Sequence, residues 1–96
     1  MSFRSHVITR EQDLASVLTL ENLRHKLIVW NDEVNTFDWV IQSLVEICDH
    51  VPEQAEQCAM MIHNKGRYAV KHGDRTELRV MREALSDRGI GATVEA

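Results

Sequence analysis

The stretch from Lys26 to Val40, KLIVWNDEVNTFDWV, constrains this chain most. Its apolar run, Leu27, Ile28, Val29 and Trp30, is unbroken and contains β-branched residues. It reads as a first strand, Lys26 to Trp30, buried on both faces. The run stops abruptly at Asn31, Asp32 and Glu33, and an amphipathic helix follows at once. Phe37, Val40, Ile41, Leu44, Val45 and Cys48 recur at i, i+3, i+4, i+7, i+8 and i+11, which is one buried stripe. Asn35 is the expected N-cap, since its side chain can accept from the amides of the first turn. Asp38, three residues on, complements the helix dipole and completes a pattern like a capping box. An amide and two carboxylates are thereby placed at the rim where a strand hands over to a helix.

The remaining elements follow from the same signals. The first helix stops near His50, and Pro52 opens a second as its first helical residue. Ala55, Cys58, Ala59 and Ile62 form its apolar stripe, and Gly66 is a natural residue to follow its end. Arg67 to Lys71 alternates, with Tyr68 and Val70 on one face, as in a half-buried strand. Gly73 marks a turn. Asp74 and Glu77 make a second capping-box pattern, opening a helix with Leu78, Met81 and Leu85 inward. Gly89 and Gly91 end that helix, and Ala92 to Val94 is a short last strand. The expected order is strand, helix, helix, strand, helix, strand. That amounts to an α+β domain in which one small sheet is covered on one face by helices. In residues 1–24, Leu14, Val17 and Leu18 have helical spacing but the segment has few anchors, and it reads as a mobile extension with room for one helical turn ahead of a core domain at residues 25–96.

Composition narrows the function classes. At 96 residues the chain is one domain, and 44% hydrophobic content supports a globular core. The net charge of -4 leaves no basic face for nucleic-acid phosphates and favours cationic groups instead. No apolar run approaches the roughly 20 residues of a membrane span, and the first residues lack the pattern of a secretory signal. Cys48 and Cys58 fall on apolar helical stripes with neither CxxC nor zinc spacing, so they are expected to be reduced core residues of a cytoplasmic protein.

The residues that could carry chemistry are few. Asn31, Asp32 and Glu33 taken alone are compatible with a solvated turn, where polar clusters are common. His63, near the end of the second helix and beside its apolar stripe, is compatible with a helix-end histidine favoured by the dipole. Together they suggest more. Asn31, His63 and a nearby carboxylate would supply an ammonium group with three acceptors. The cation that carries an apolar group beside it is the free amino terminus of another protein. Catalytic arrangements fit less well. Cys58 and His63 lie roughly 140° apart around one helix, too far for a nucleophile and its base. GxSxG, P-loop and HExxH patterns are absent. A metal site from Asp32, Glu33 and His63 has no sequence signature, and neither metal nor cofactor is expected. His6, His25, His50 and His72 lie at ends or loops, where surface roles suffice.

The combined pattern resembles a known family. A strand ending NDE, a helix opening NTFDWVI, and HNKG closing the next helix look like ClpS, over about Leu27 to Val94. ClpS proteins are small adaptors that deliver N-degron substrates to a Clp-type AAA+ unfoldase and its protease. The family fold is a three-stranded antiparallel sheet with three helices, in agreement with the element order above. The resemblance implies that Asn31, Asp32 or Glu33, and His63 hold the substrate's α-amino group. It also implies that the first side chain, usually Phe, Tyr, Trp or Leu, enters a pocket walled by Phe37, Val40 and Ala59, with Ile90 as a further contributor. Unfoldase docking maps onto Glu77 and Arg82 in the third helix, and residues before 25 correspond to a substrate-handover arm.

The sequence departs from the common family pattern at three places. Glu33 stands where many members have Asp, Asn35 where Thr is common, and Ala59 where a Met often gates the pocket. A small residue at 59 should widen the pocket and relax its selection. The reading is a monomeric, non-enzymatic cytoplasmic adaptor. It would bind N-terminal hydrophobic degrons and the N-domain of a Clp unfoldase, with no nucleic-acid or membrane partner. Two rivals stand beside it: a regulator in the same fold that binds the unfoldase but no degron, and a small thiol or metal enzyme built on His63 and the cysteines.

Overall fold

The structure is a computed structural model that describes residues 25–96; the extension expected at residues 1–24, and His6 within it, lie outside the described residues. Among the described residues the order is β1 (His25–Trp30), α1 (Phe37–Cys48), α2 (Pro52–Lys65), β2 (Arg67–Gly73), α3 (Arg75–Asp87) and β3 (Ala92–Glu95). This is the expected alternation. The strands form one antiparallel sheet in the order β2-β1-β3, with the first strand in the middle. A bulge between Leu27 and Ile28 shifts the β1–β2 register, so that Leu27 faces Lys71 and Ile28 faces Ala69.

Leu27, Ile28 and Val29, in the middle strand, are all buried. Leu27 and Val29 join Leu44, Cys48, Ala55, Ile62, Val70, Leu78, Leu85 and Ile90 in the core between the sheet and the helices. Trp30 departs from this pattern and is 40% exposed. Alternation along the strand turns it away from Val29 and the helices. There its indole N–H donates to Thr93 Oγ1 at 3.0 Å, and the Arg67 guanidinium sits 4.6 Å over its ring.

The helix starts differ from expectation in detail. The N-cap of α1 is Thr36, whose hydroxyl accepts from the Trp39 amide at 3.1 Å; Asn35 is occupied elsewhere. Asp74 is the N-cap residue of α3, but its side chain makes no capping bond, and its carbonyl simply accepts from Leu78 N–H at 3.0 Å. Pro52 opens α2 and Gly66 ends it in the left-handed region at φ 88°, both as read from sequence. The stripe on α1 holds for Leu44 and Cys48, which are buried, whereas Phe37 at the helix start is exposed.

His50 is not a surface residue. It is buried in the turn between α1 and α2, with Nε2 2.8 Å from the Val70 carbonyl. Its Nδ1 is buried without a partner. Next to it, Lys71 Nζ donates to the carbonyl of Cys48 at 2.9 Å and closes the C-terminal end of α1. Both contacts come from β2, so this corner of the helical layer is fastened to the sheet by polar bonds as well as by packing.

Candidate functional site

The end of β1 is tied to the end of α2 by one main-chain bond, Asn31 N–H to Gly66 O at 2.9 Å. Gly66 is free to accept there because its left-handed backbone ends the helix. The bond sets the polar end of the strand beside the last turn of α2, which carries His63. A cavity of about 340 Å³ opens between them. Asn31, Asp32, Glu33 and His63 stand on its polar side, and Phe37, Val40, Ala59 and Ile62 form its apolar side. Residues from three elements and one loop thus meet in a single concavity, the arrangement expected of a ligand site.

The two acidic residues have different duties. Asp32 Oδ1 accepts from the amides of Val34 and Asn35 at 2.8 and 2.7 Å, and Oδ2 accepts from Asn35 Nδ2 at 2.7 Å. This is an Asx-type turn. The bonds from Asn35, amide first and side chain second, hold the Asp32 carboxyl below its ordinary value, so it stays ionised. Asn35 Nδ2 also donates to the Gly89 carbonyl at 2.8 Å, which anchors the loop to the chain after α3. Asp32 is therefore the brace of the loop. Among the described residues Glu33 makes no hydrogen bond, and both it and Asp32 line the cavity.

His63 stands on the same face of α2 as Ala59, one helical turn later. Its ring meets that of Phe37 edge-on, with centroids 5.5 Å apart and planes at 79°. The contact positions the imidazole across the mouth of the cavity. Phe37 is 44% exposed, which is a high exposure for an aromatic residue at a core-facing position and follows from its place on the cavity wall. Ala59 and Ile62 are buried and form the floor.

Two expectations about the site need correction. Ile90 is 1% exposed and belongs to the core, and it does not line the cavity. Its amide donates to Leu85 O at 3.0 Å, which closes the end of α3 and points the side chain inward among core residues. Asn35 is a buttress rather than a cap. Glu77 and Arg82 lie five residues apart on α3, roughly 140° around the helix. Arg82 lines a separate groove with Arg75 and Arg79, and Glu77 does not line it.

Ile62 and Trp30 line the cavity but were read only as core and strand residues. For Ile62 a signal was present: it lies three residues after Ala59 and just before His63. For Trp30 none was, since its place at the rim depends on where the strand ends.

The cysteines do not fit a catalytic role. Cys48 and Cys58 are both free thiols and both buried. Burial pushes the Cys48 thiol up to about 11 and raises Cys58 as well. Neither is a thiolate near neutral pH.

Comparison with known proteins supplies the remaining context. Residues 21–91 match the family model described as "ATP-dependent Clp protease adaptor protein ClpS". The ATP-dependent Clp protease adapter protein ClpS of Corynebacterium aurimucosum is 31% identical over 94 residues, covering 95% of this chain and 85% of the relative. Its counterpart from Corynebacterium diphtheriae is 28% identical over 85 residues, covering 88% of this chain and 75% of the relative. The solved structure of Agrobacterium tumefaciens ClpS2 bound to L-phenylalaninamide superposes with a TM-score of 0.68. It shares 19% identity and covers 74% of this chain and 93% of that one. At that identity the superposition speaks for the fold.

Proposed function

This chain belongs to the ClpS family, adaptors of the ATP-dependent Clp protease and not enzymes, and on that premise we propose that its cavity binds the amino-terminal residue of a substrate protein. The α-ammonium group is taken by the side chains of Asn31, Glu33 and His63. The first side chain, aromatic or large and aliphatic, lies against Phe37, Val40, Ala59 and Ile62. One observation carries this reading: the Asn31–Gly66 bond brings a carboxylate, an amide and an imidazole to the mouth of an apolar cavity.

The chemistry follows from that arrangement. An ammonium leaving water must be fully hydrogen-bonded, or its burial costs several kcal/mol. Glu33 offers a carboxylate oxygen, Asn31 a carbonyl oxygen, and His63 a ring nitrogen, which makes three acceptors for three N–H donors. The ionised Asp32 adds negative potential at the rim without contacting the ligand. Burial of a large apolar side chain contributes about 1.5–3 kcal/mol. The cavity of about 340 Å³ lies at the small end of ligand pockets, roughly 300–1,000 Å³. It suits one side chain rather than a folded ligand. L-phenylalaninamide, the molecule bound to A. tumefaciens ClpS2, couples a free α-amine to an aromatic side chain and so supports the same reading.

On this proposal the adaptor carries the bound terminus to the N-domain of a Clp unfoldase as a monomer in the cytoplasm. Glu77 and Arg82 on α3 are the proposed docking residues, each acting from its own face of the helix. The test is fluorescence anisotropy with a short peptide beginning with Phe and its N-acetylated twin, on the wild type and His63→Ala. Binding of the free-amine peptide alone, weakened by the substitution, is the expected result. Failure of the folded protein to bind either peptide would overturn the degron reading in favour of a regulator that contacts the unfoldase only.

A further inference from the structure

A second groove, of about 350 Å³, lies between α3 and β3 and is lined by Arg75, Arg79, Arg82, Ala92, Thr93 and Val94. Arg75, Arg79 and Arg82 recur at i, i+4 and i+7 and therefore share one face of α3. Among the described residues, no acidic residue lines the groove. In a chain of net charge -4, three guanidinium groups on one wall are a local reversal of sign. The opposite wall is an edge strand, since the sheet order β2-β1-β3 leaves β3 with one side unpaired among the described residues.

The phase of the β1–β3 ladder sets what that edge offers. Trp30 N–H donates to Gly91 O at 3.0 Å, and Val29 and Leu27 stand opposite Ala92 and Val94. Bonded and non-bonded pairs alternate along an antiparallel ladder. Ala92 and Val94 therefore turn their N–H and C=O groups outward. An edge of this kind is a template for strand addition.

We propose that this groove binds an extended acidic segment of a partner protein, which adds to β3 as a fourth strand. Its alternate acidic side chains meet Arg75, Arg79 and Arg82. The spacing fits. Three arginines over seven residues of helix span roughly 10 Å at about 1.5 Å per residue, and alternate strand residues recur about every 6.6 Å. Two or three carboxylates of one strand thus fall within reach of long, bidentate guanidinium groups. An extended peptide is favoured over nucleic acid because half of the groove is a hydrogen-bonding strand edge, which a phosphate backbone cannot pair with in register. The site is separate from the amine cavity and does not depend on how that cavity is used.

The test is a titration of the full chain with an N-acetylated peptide of alternating Glu and Val, followed by anisotropy and by backbone amide NMR shifts. The acetyl group keeps the peptide out of the amine cavity. Saturable binding is expected, with shifts at Ala92 and Val94, weakening of at least tenfold in Arg79→Glu/Arg82→Glu, and no change in His63→Ala. A peptide with proline in place of every Val, which cannot donate from those positions, should bind at least tenfold more weakly. All of these changes lie on the protein surface or in the peptide, and circular dichroism confirms that the double variant is folded. Absence of binding, equal binding of the proline peptide, or indifference to the double charge reversal would each overturn the proposal. Tighter binding of single-stranded DNA of matched charge would also overturn it, by making the groove a general anion patch.

Discussion

The amide of Asn31 donates to the carbonyl of Gly66 at 2.9 Å, and this bond sets the distance between the two halves of the candidate site. Asn31 follows the central strand and Gly66 caps the end of α2. The polar rim and the imidazole of His63 are neighbours because two element ends are joined, not because of any nearness in sequence.

Gly66→Ala tests that junction. A Cβ at Gly66 would meet nothing within 4 Å, so the change introduces no clash. The backbone at φ 88° is strained for any L side chain, at a cost of roughly 1–2 kcal/mol. The expected result is a fall in Tm of several degrees by calorimetry, together with weaker binding of a free-amine peptide. An unchanged Tm would show that the junction carries no such strain.

Asp32 and Glu33, adjacent in sequence, should separate in their effects. Glu33→Gln removes the carboxylate proposed to meet the ammonium, and about tenfold weaker peptide binding is expected with Tm unaltered. Asp32→Ala removes three bonds that shape the loop. A loss of about 1 kcal/mol in stability is expected, as for the removal of a helix cap. Paired denaturation and binding measurements on both variants check this, and a reversed pattern would exchange the two assignments.

Ala59 forms part of the cavity floor and is buried. Ala59→Met projects a flexible side chain into the space and should penalise a peptide beginning with Trp more than one beginning with Leu. Anisotropy across peptides beginning with Phe, Leu, Tyr, Trp and Ile reads the ranking. A ranking that does not change would show that residue 59 does not set selection.

His50 gives the fold a dependence on pH. Burial holds its pKa below the usual 6.5, and the Lys71 charge acts in the same direction against the opposing bond to Val70. The unfolded chain therefore binds the proton first as pH falls. Stability is full above about 6.5, declines as pH drops through that value, and levels off below the folded pKa. Between pH 7.5 and 5.5 the wild-type Tm should fall by more than that of His50→Gln. Equal falls would exclude His50 as the cause.

Much of the architecture was legible because local signals agreed with the fold. The unbroken run Leu27–Val29 marked a strand buried on both faces, and it became the middle strand. Pro52 and Gly66 bounded α2, and the period of Ala55, Cys58, Ala59 and Ile62 identified its buried face. Where two neighbouring residues could do one job, sequence could not choose between them. Asn35 and Thr36 are both good caps. Thr36 took the role because Asn35 reaches Asp32 and the Gly89 carbonyl, contacts that exist only once the chain has closed.

The candidate site divides in the same way. NDE at the strand end and His63 one helical turn after Ala59 could be named in advance, because residue type and period are local properties. Tertiary structure alone decided that Asp32 braces the loop at the cavity's rim, that Ile90 belongs to the core, and that Ile62 lines the cavity. It also decided that Arg75, Arg79 and Arg82 share a groove with β3, an edge strand among the described residues. The physical reason is that periodicity states which face of an element a residue occupies. What that face meets depends on contacts between segments distant in sequence, and those form only when the sheet and helices pack.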